Sequence, residues 1–309
     1  MTSSGNERWL VVGGKGLIGT ELCDELRSNG IVTHSFSRRT FKANDEHITG
    51  DVTELDWLKK IDRNGYDVVV YLVYSDSENN AESQMINVDQ VLKMADYFNG
   101  SNLKSFVYLG SMAVFGQVPE DCIVNESSRK NPVGTYAFNK NVATQLLIDQ
   151  HYSFKVSVIH PTNVYSKDAK SIRQYVEILR LNRITCGNSI SGIRNIVHAN
   201  DVARSIVAVT KRTDESNHEF IVNGESITYE KFFDSLAYKR TGIYVPLCLA
   251  SFTRGPIRRC LNKLGFITPL KPPLYKRKMM TAASVFSSRK LNEMTGWHSR
   301  KVFEMEVRP

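Results

Sequence analysis

Trp9-Leu10-Val11-Val12-Gly13-Gly14-Lys15-Gly16-Leu17-Ile18-Gly19 is an apolar run that breaks into glycines three apart and continues with Leu17, Ile18, Leu22 and Leu26 at helical spacing up to Asn29-Gly30. The run reads as a short buried strand, and Leu17 to Ser28 as an amphipathic helix. At such a turn each glycine has its own physical task. Gly13 permits the tight bend, Gly16 lets a pyrophosphate approach the backbone, and Gly19 lets the helix lie close on the sheet. An anion held beside Leu17 and Ile18 would meet the positive end of the helix. Glycine spacing alone leaves a plain tight turn as the alternative.

Working outward, apolar strands alternate with helices. Ile31 to Phe36, Asp67 to Val73, Ser105 to Leu109 and Lys155 to Ile159 read as strands, and Asn87 to Phe98 and Tyr136 to Gln150 as helices. Near-continuous apolar strands separated by helices predict an α/β fold with a doubly wound parallel sheet. After Pro161 the pattern loosens into helix Ile172 to Leu181, strand Arg194 to Val197 and helix Asp201 to Thr210. The expected division is a dinucleotide-binding domain over residues 1–163 and a smaller C-terminal substrate-binding domain over 164–309, with segments near 194–210 returning to the core.

The end of the second strand bears on the choice of cofactor. An NAD site offers a carboxylate to the ribose about 20 residues after the glycines, whereas an NADP site offers arginine to the 2′-phosphate. This chain has Ser37-Arg38-Arg39, which favours NADP(H) and leaves NAD(H) possible. Asp51, in Gly50-Asp51-Val52, stands where a loop could carry a carboxylate to the adenine, or where an Asp simply forms a turn.

Ser111, Tyr136 and Lys140 are the candidate catalytic groups. Tyr136 and Lys140 are four apart, so they share a helix face, and an ammonium near the phenol would lower its pKa toward the range of an acid/base catalyst. Ser111 follows the buried run Phe106-Val107-Tyr108-Leu109, which sets its hydroxyl at the carboxyl end of a parallel sheet.

Composition narrows the classes. With 41% apolar and 23% charged residues over 309 positions, the chain has the makeup of a folded globular protein. Val245 to Phe252 is too short to span a bilayer and Met1 to Arg8 lacks a signal-peptide core, so a cytoplasmic location is expected. Five scattered cysteines without a C-x-x-C pair argue against structural zinc or a disulfide framework. Charge is uneven: between Asp234 and Glu293 there are twelve Lys or Arg and no acid, while the remainder is net acidic. Such a segment is either a solvated face or a footprint for phosphates. Nucleic acid is disfavoured because no reading motif accompanies it. Basic and apolar residues interleave from Pro256 to Phe266, so a peripheral membrane contact is a rival partner.

These residues carry a resemblance. The loop Val12 to Gly19, Gly110-Ser111-Met112-Ala113-Val114-Phe115-Gly116, Tyr136 with Lys140, His160-Pro161-Thr162-Asn163-Val164-Tyr165, and Arg194-Asn195-Ile196-Val197-His198-Ala199-Asn200-Asp201 occur in an order that resembles the extended short-chain dehydrogenase/reductase family of NAD(P)-dependent nucleotide-sugar epimerases, dehydratases and reductases. The resemblance implies a Rossmann-type fold, with Tyr136 as general acid/base, Lys140 orienting it and holding the nicotinamide ribose, and Ser111 binding the reacting oxygen. It implies cofactor contacts at Val52, Leu72 and Asn87, and substrate contacts at Asn163, Arg194 and Arg277. A nucleotide-sugar substrate and a homodimer paired through the helices Asn87 to Phe98 and Tyr136 to Gln150 follow from the same source. Three departures stand out: Tyr74 where the family has a small residue, Ser166-Lys167 where it has Gly-Pro, and Met112-Ala113 where its dehydratases carry Asp-Glu. The last removes the acid and base of a 4,6-dehydration. The expected activity is hydride transfer to or from a sugar carbon, with reduction ahead of 4-epimerisation. A lipid diphosphate-linked sugar and a non-catalytic NADP(H)-binding protein are the alternatives.

Overall fold

The computed structural model describes residues 7–38, 46–77, 79–116, 118–119, 121–166, 184–187, 192–228, 231–232, 235, 243–246 and 283–304. In chain order the elements are β1 (Arg8–Val12), α1 (Leu17–Ser28), β2 (Val32–Ser37), β3 (His47–Thr49), β4 (Val68–Tyr71), α2 (Asn80–Gln84), α3 (Gln90–Phe98), β5 (Ser105–Leu109), β6 (Ile123–Val124), α4 (Thr135–Asp149), β7 (Lys155–Pro161), β8 (Asn163–Tyr165), β9 (Ile184–Gly187), β10 (Ile193–His198), α5 (Ala199–Thr210), β11 (His218–Val222), β12 (Glu225–Thr228), β13 (Ile243–Pro246), β14 (Val285–Phe286) and α6 (Arg289–Thr295).

Seven strands in the order β11-β7-β5-β4-β1-β2-β3 form one parallel sheet. Alternation along β1 explains its two layers. Leu10 and Val12 enter one core with Trp57, Val91, Phe98, Phe106 and Leu147, and Trp9 and Val11 enter the other with Leu22, Leu26, Val202 and Ile206. Helices α3 and α4 therefore cover one face, and α1 and α5 the other. This is the doubly wound Rossmann-type arrangement that the β-α alternation predicts. A small sheet β12-β10-β8 and the pair β14-β6 are built beside its carboxyl edge.

The helix expected from Asn87 begins earlier, at Asn80. Asn79 caps it by accepting from the Ala81 and Glu82 N–H groups, a start hidden by the polar sequence Ser77 to Gln84. Between α2 and α3, Met85–Asp89 forms a π turn, and the Tyr108 hydroxyl donates to the Asn87 carbonyl within it. Helix Ile172 to Leu181, Arg39, Arg277 and the basic segment Pro256 to Phe266 lie outside the described residues. Among the described residues no helix is long and apolar enough to cross a membrane, and no cluster of His, Cys, Asp or Glu is placed to hold a metal ion.

Candidate active site

The carboxyl ends of β1, β4, β5 and β7 present the candidate groups on one side of the sheet, where open α/β folds bind ligands. After β1, Gly13 adopts φ +90° and its N–H donates to the Phe36 carbonyl at 2.8 Å, turning the chain into α1. A Cβ on Gly19 would stand 2.3 Å from the Gly13 carbonyl oxygen, so only glycine lets the helix start this close to the loop. A side chain on Gly16 would meet little besides that same oxygen, at 3.3 Å. Gly16 caps α1 without a side chain, and no acid occupies the first turn. This donor set fits the pyrophosphate of a dinucleotide: a helix start with backbone N–H groups, its dipole unopposed by a local carboxylate.

Around the loop, the sequence-predicted cofactor residues divide. Ile18, Val52 and Leu72 put their side chains into the cores, leaving their backbones for a ligand, whereas Leu17 is exposed. Asp51 accepts from the Thr53 N–H and hydroxyl, both at 2.9 Å, through one oxygen, as a turn-forming Asp does; its other oxygen lies 4.0 Å from the Arg38 Nε. Arg38, at the end of β2 after Ser37, is 81% exposed.

Asn87 has its amide engaged within the protein. Its side chain is fully buried, accepts from the Ser75 N–H at 3.1 Å, and donates to the Ser75 carbonyl at 2.7 Å and to the Ser83 hydroxyl at 3.1 Å. It pins the loop that follows β4, and Asn139 on α4 donates to the same Ser83 oxygen. That loop carries Tyr74, whose ring meets Tyr136 edge-on at 6.1 Å.

Ser111 follows β5 in extended conformation and caps the 3-10 turn Met112–Phe115 by accepting from the Ala113 N–H at 3.2 Å. Its hydroxyl also stands close enough to the Tyr136 phenol to lower that group's pKa. Tyr136 stands one residue into α4. Burial pushes its phenol up, the Ser111 bond opposes this, and the negative forms of Tyr74 and Asp76 add to the rise, for a result of about 12. This corrects the expectation that Lys140 acidifies the phenol. Lys140 shares the helix face but is fully buried, donates to the Leu109 carbonyl at 2.8 Å and lies 4.5 Å from the centre of the Tyr108 ring, while burial lowers its own pKa to about 7. At neutral pH the phenol is protonated, as an ordinary tyrosine is, and its resting form is a proton donor.

On the substrate side, Asn163 donates to the Asn195 carbonyl at 2.8 Å and lies 3.9 Å from the Met112 Sδ, so its amide nitrogen joins β8 to β10 rather than standing free. Next in β10, Arg194 stacks its guanidinium 4.2 Å from the centre of Phe232, an apolar platform the sequence did not announce. The Ser83 hub and the buried His160 beside Ser111 were also missed, whereas Tyr74 stands out in the sequence as a departure from the family. Tyr74 had a signal, its bulk at a position where the family keeps a small side chain. Ser83 had none.

The model of the NAD dependent epimerase/dehydratase family matches residues 9–223, and the chain belongs to that family. Its fold is similar to that of UDP-glucose 4-epimerase from Thermotoga maritima, solved with UDP-glucose, at TM-score 0.74 and 18% identity over 97% of this chain and 96% of that one. It is also similar to WbmG from Bordetella bronchiseptica, solved with NAD and UDP (TM-score 0.75, 15% identity, 98% and 93% covered). A third likeness is RMD from Pseudomonas aeruginosa, complexed with NADPH (TM-score 0.71, 17% identity, 98% and 97% covered).

Proposed function

We propose that the protein transfers a hydride between a nicotinamide cofactor, NADP(H) ahead of NAD(H), and a sugar carbon of a nucleotide-activated sugar, preferentially as a reduction. The observation that carries this is the placement of the Ser111 hydroxyl, at the carboxyl end of β5, beside the phenol of Tyr136 at the start of α4. In this reading the cofactor supplies the hydride when bound to the loop Gly13 to Gly19, with Ser37, Arg38 and Arg39 toward its 2′-phosphate, Asp51 toward the adenine and Lys140 at the nicotinamide ribose. Ser111 and Tyr136 hold the substrate oxygen, Tyr136 gives up its proton as that oxygen gains charge, and Ser111 stabilises the developing negative charge. Lys140, on the same face of α4, is proposed to orient Tyr136 and hold the nicotinamide ribose, and the phenolate left after proton transfer takes a proton back from water before the next turnover. Arg194 and Arg277 are the proposed diphosphate contacts, and Asn163 borders the sugar. The segment after residue 163 supplies the substrate side. Exposed Phe138 and Leu146 on α4 support pairing of two copies through that helix. A 4,6-dehydration is disfavoured because Met112 and Ala113 supply no acid or base.

The second reading is 4-epimerisation with retained cofactor, supported by the likeness to a UDP-glucose 4-epimerase. Incubating the protein with UDP-sugars and their 4-keto forms, while following reduced-cofactor absorbance, separates the two. Consumption of NADPH with a 4-keto sugar supports reduction, whereas interconversion of UDP-glucose and UDP-galactose without added cofactor supports epimerisation. Equal behaviour of wild type and Tyr136→Phe in every assay would sink both and leave a binding protein.

A further inference from the structure

Behind Ser111 stands a row of polar groups, buried at His160 and half-buried at Glu219 and Lys130, that the proposed chemistry leaves unused. His160, on β7, is fully buried. Its Nδ1 lies 3.1 Å from the Ser111 backbone nitrogen and 3.2 Å from the Ser111 carbonyl oxygen, and its Nε2 lies 2.9 Å from Glu219 on β11. Glu219 in turn accepts from the Lys130 ammonium at 2.6 and 2.5 Å. The ring has little freedom: a Cβ on Gly110 would sit 2.5 Å from Nδ1, and Phe115 packs edge-on at 6.0 Å.

An imidazole bonded at both nitrogens has its plane and tautomer set by its partners. With Glu219 as a carboxylate, Nε2 carries the hydrogen, and Nδ1 of the neutral ring accepts from the Ser111 N–H. A protonated ring would instead donate from Nδ1 to the Ser111 carbonyl, so either state grips the backbone of the same residue. A histidine that merely satisfied itself in a core could bond any backbone. This one bonds the peptide of the residue whose hydroxyl reaches Tyr136, and the second restraint on that hydroxyl, the Ala113 N–H, lies two residues away.

We propose that His160 is a positioning residue for the hydride-transfer site: braced by Glu219 and Lys130, it fixes the Ser111 peptide and so aims the Ser111 hydroxyl at the Tyr136 phenol. This rests on the roles proposed for Ser111 and Tyr136. The brace reaches from β11 through β7 to the end of β5, with the His160 Nε2 and the Lys130 ammonium both meeting the Glu219 Oε2.

The test is a double-mutant cycle on His160 and Ser111, assayed with NADPH and a 4-keto UDP-sugar, and with UDP-glucose and NAD. His160→Leu should lower kcat about ten- to a hundred-fold with KM little changed, the size of effect a slight misplacement of a reacting group produces. In a Ser111→Ala background the same change should cost almost nothing more, because the residue it acts through is gone. His160→Asn, which keeps a polar group toward Ser111, should recover much of the loss. Additive losses, or an unchanged kcat in His160→Leu, would overturn the proposal. Should the Leu variant fail to fold, Glu219→Gln takes its place in the cycle, with the same expected non-additivity. A readout free of turnover is the 13Cζ resonance of Tyr136 at neutral pH, assigned with Tyr136→Phe: Ser111→Ala and His160→Leu should displace it alike. If wild type turns over no UDP-sugar, the functional reading falls, while a resonance moved by Ser111→Ala and unmoved by His160→Leu falls on the positioning role alone.

Discussion

Replacing Gly19 by alanine adds one methyl group against a wall of backbone. The new Cβ would stand 2.3 Å from the Gly13 carbonyl oxygen and 2.7 Å from the Gly14 Cα, so about 1 Å of separation must be created. Retreat by the loop is blocked, since the Gly13 N–H is tied to Phe36 and a side chain on Gly14 would already meet Ser35 at 2.6 Å. Helix α1 must therefore lift, loosening the buried Ile18, Leu22 and Leu26. Overpacking of this kind costs about 1–3 kcal/mol of stability. Losing one charge-assisted hydrogen bond from a displaced loop amide, about 1.5–3 kcal/mol, raises the cofactor Kd about ten- to a hundred-fold. Calorimetric titration of NADPH and NADH into wild type and Gly19→Ala, with melting curves of both, measures the two effects. A variant that binds either cofactor as tightly as wild type refutes the assignment of this loop as the phosphate cradle, and one that also melts normally refutes the contact itself.

Tyr136→Phe should lower kcat by about a thousand-fold, within the reach of general acid catalysis, and leave the NADPH titration unchanged; residual activity near wild type would count against the phenol. Tyr74→Ala removes an edge-on aromatic contact with Tyr136 worth about 0.5–1.5 kcal/mol, so kcat should fall about three- to ten-fold in steady-state assays while Tyr74→Phe behaves as wild type. Asp201 accepts from Ser299, Arg204 and the backbone N–H groups of Arg300 and Lys301 while fully buried, so Asp201→Ala should cost about 3–5 kcal/mol and lower Tm by about 5–8 °C in calorimetry. Burial raises the Glu219 carboxyl, but His160 and Lys130 outweigh it and hold it at about 2, below its ordinary 4.5. Its contribution to stability is therefore complete above pH 4.5 and lost as pH falls toward 2; urea melts across that window should show a shallower acid loss in Glu219→Gln.

The sheet was readable because its strands are apolar throughout and its helices carry period-3.6 stripes, as in Phe106 to Leu109 and Leu17 to Leu26. Boundaries slipped where side chains, not periodicity, decide them, as at the Asn79 cap. Within the site, residue types were legible but their allegiances were not. Lys140 and Tyr136 share a face, yet the desolvated amine turns to the Leu109 carbonyl because that is the acceptor within its reach. Asn87 and Asn163 spend amide nitrogens on backbone carbonyls that no linear spacing reveals. Lys130 and Glu219 lie 89 positions apart, and only the pairing of β11 with β7 brings the carboxylate to His160.

Residues long after Lys140 decide how the earlier ones sit. Val285 and Phe286 pair with Ile123 and Val124, and Phe286 packs with Val114 and Phe115 immediately beyond Ser111. Asn195 accepts from the Phe286 N–H, and Ser299 to Lys301 fasten onto Asp201. Such high contact order makes the reacting centre a late product of folding. The turn bearing the serine gains its floor from Phe286, and the core under β1 and α1 is completed by Leu291 and Trp297, so loop and serine alike are finished by residues more than a hundred positions further along the chain.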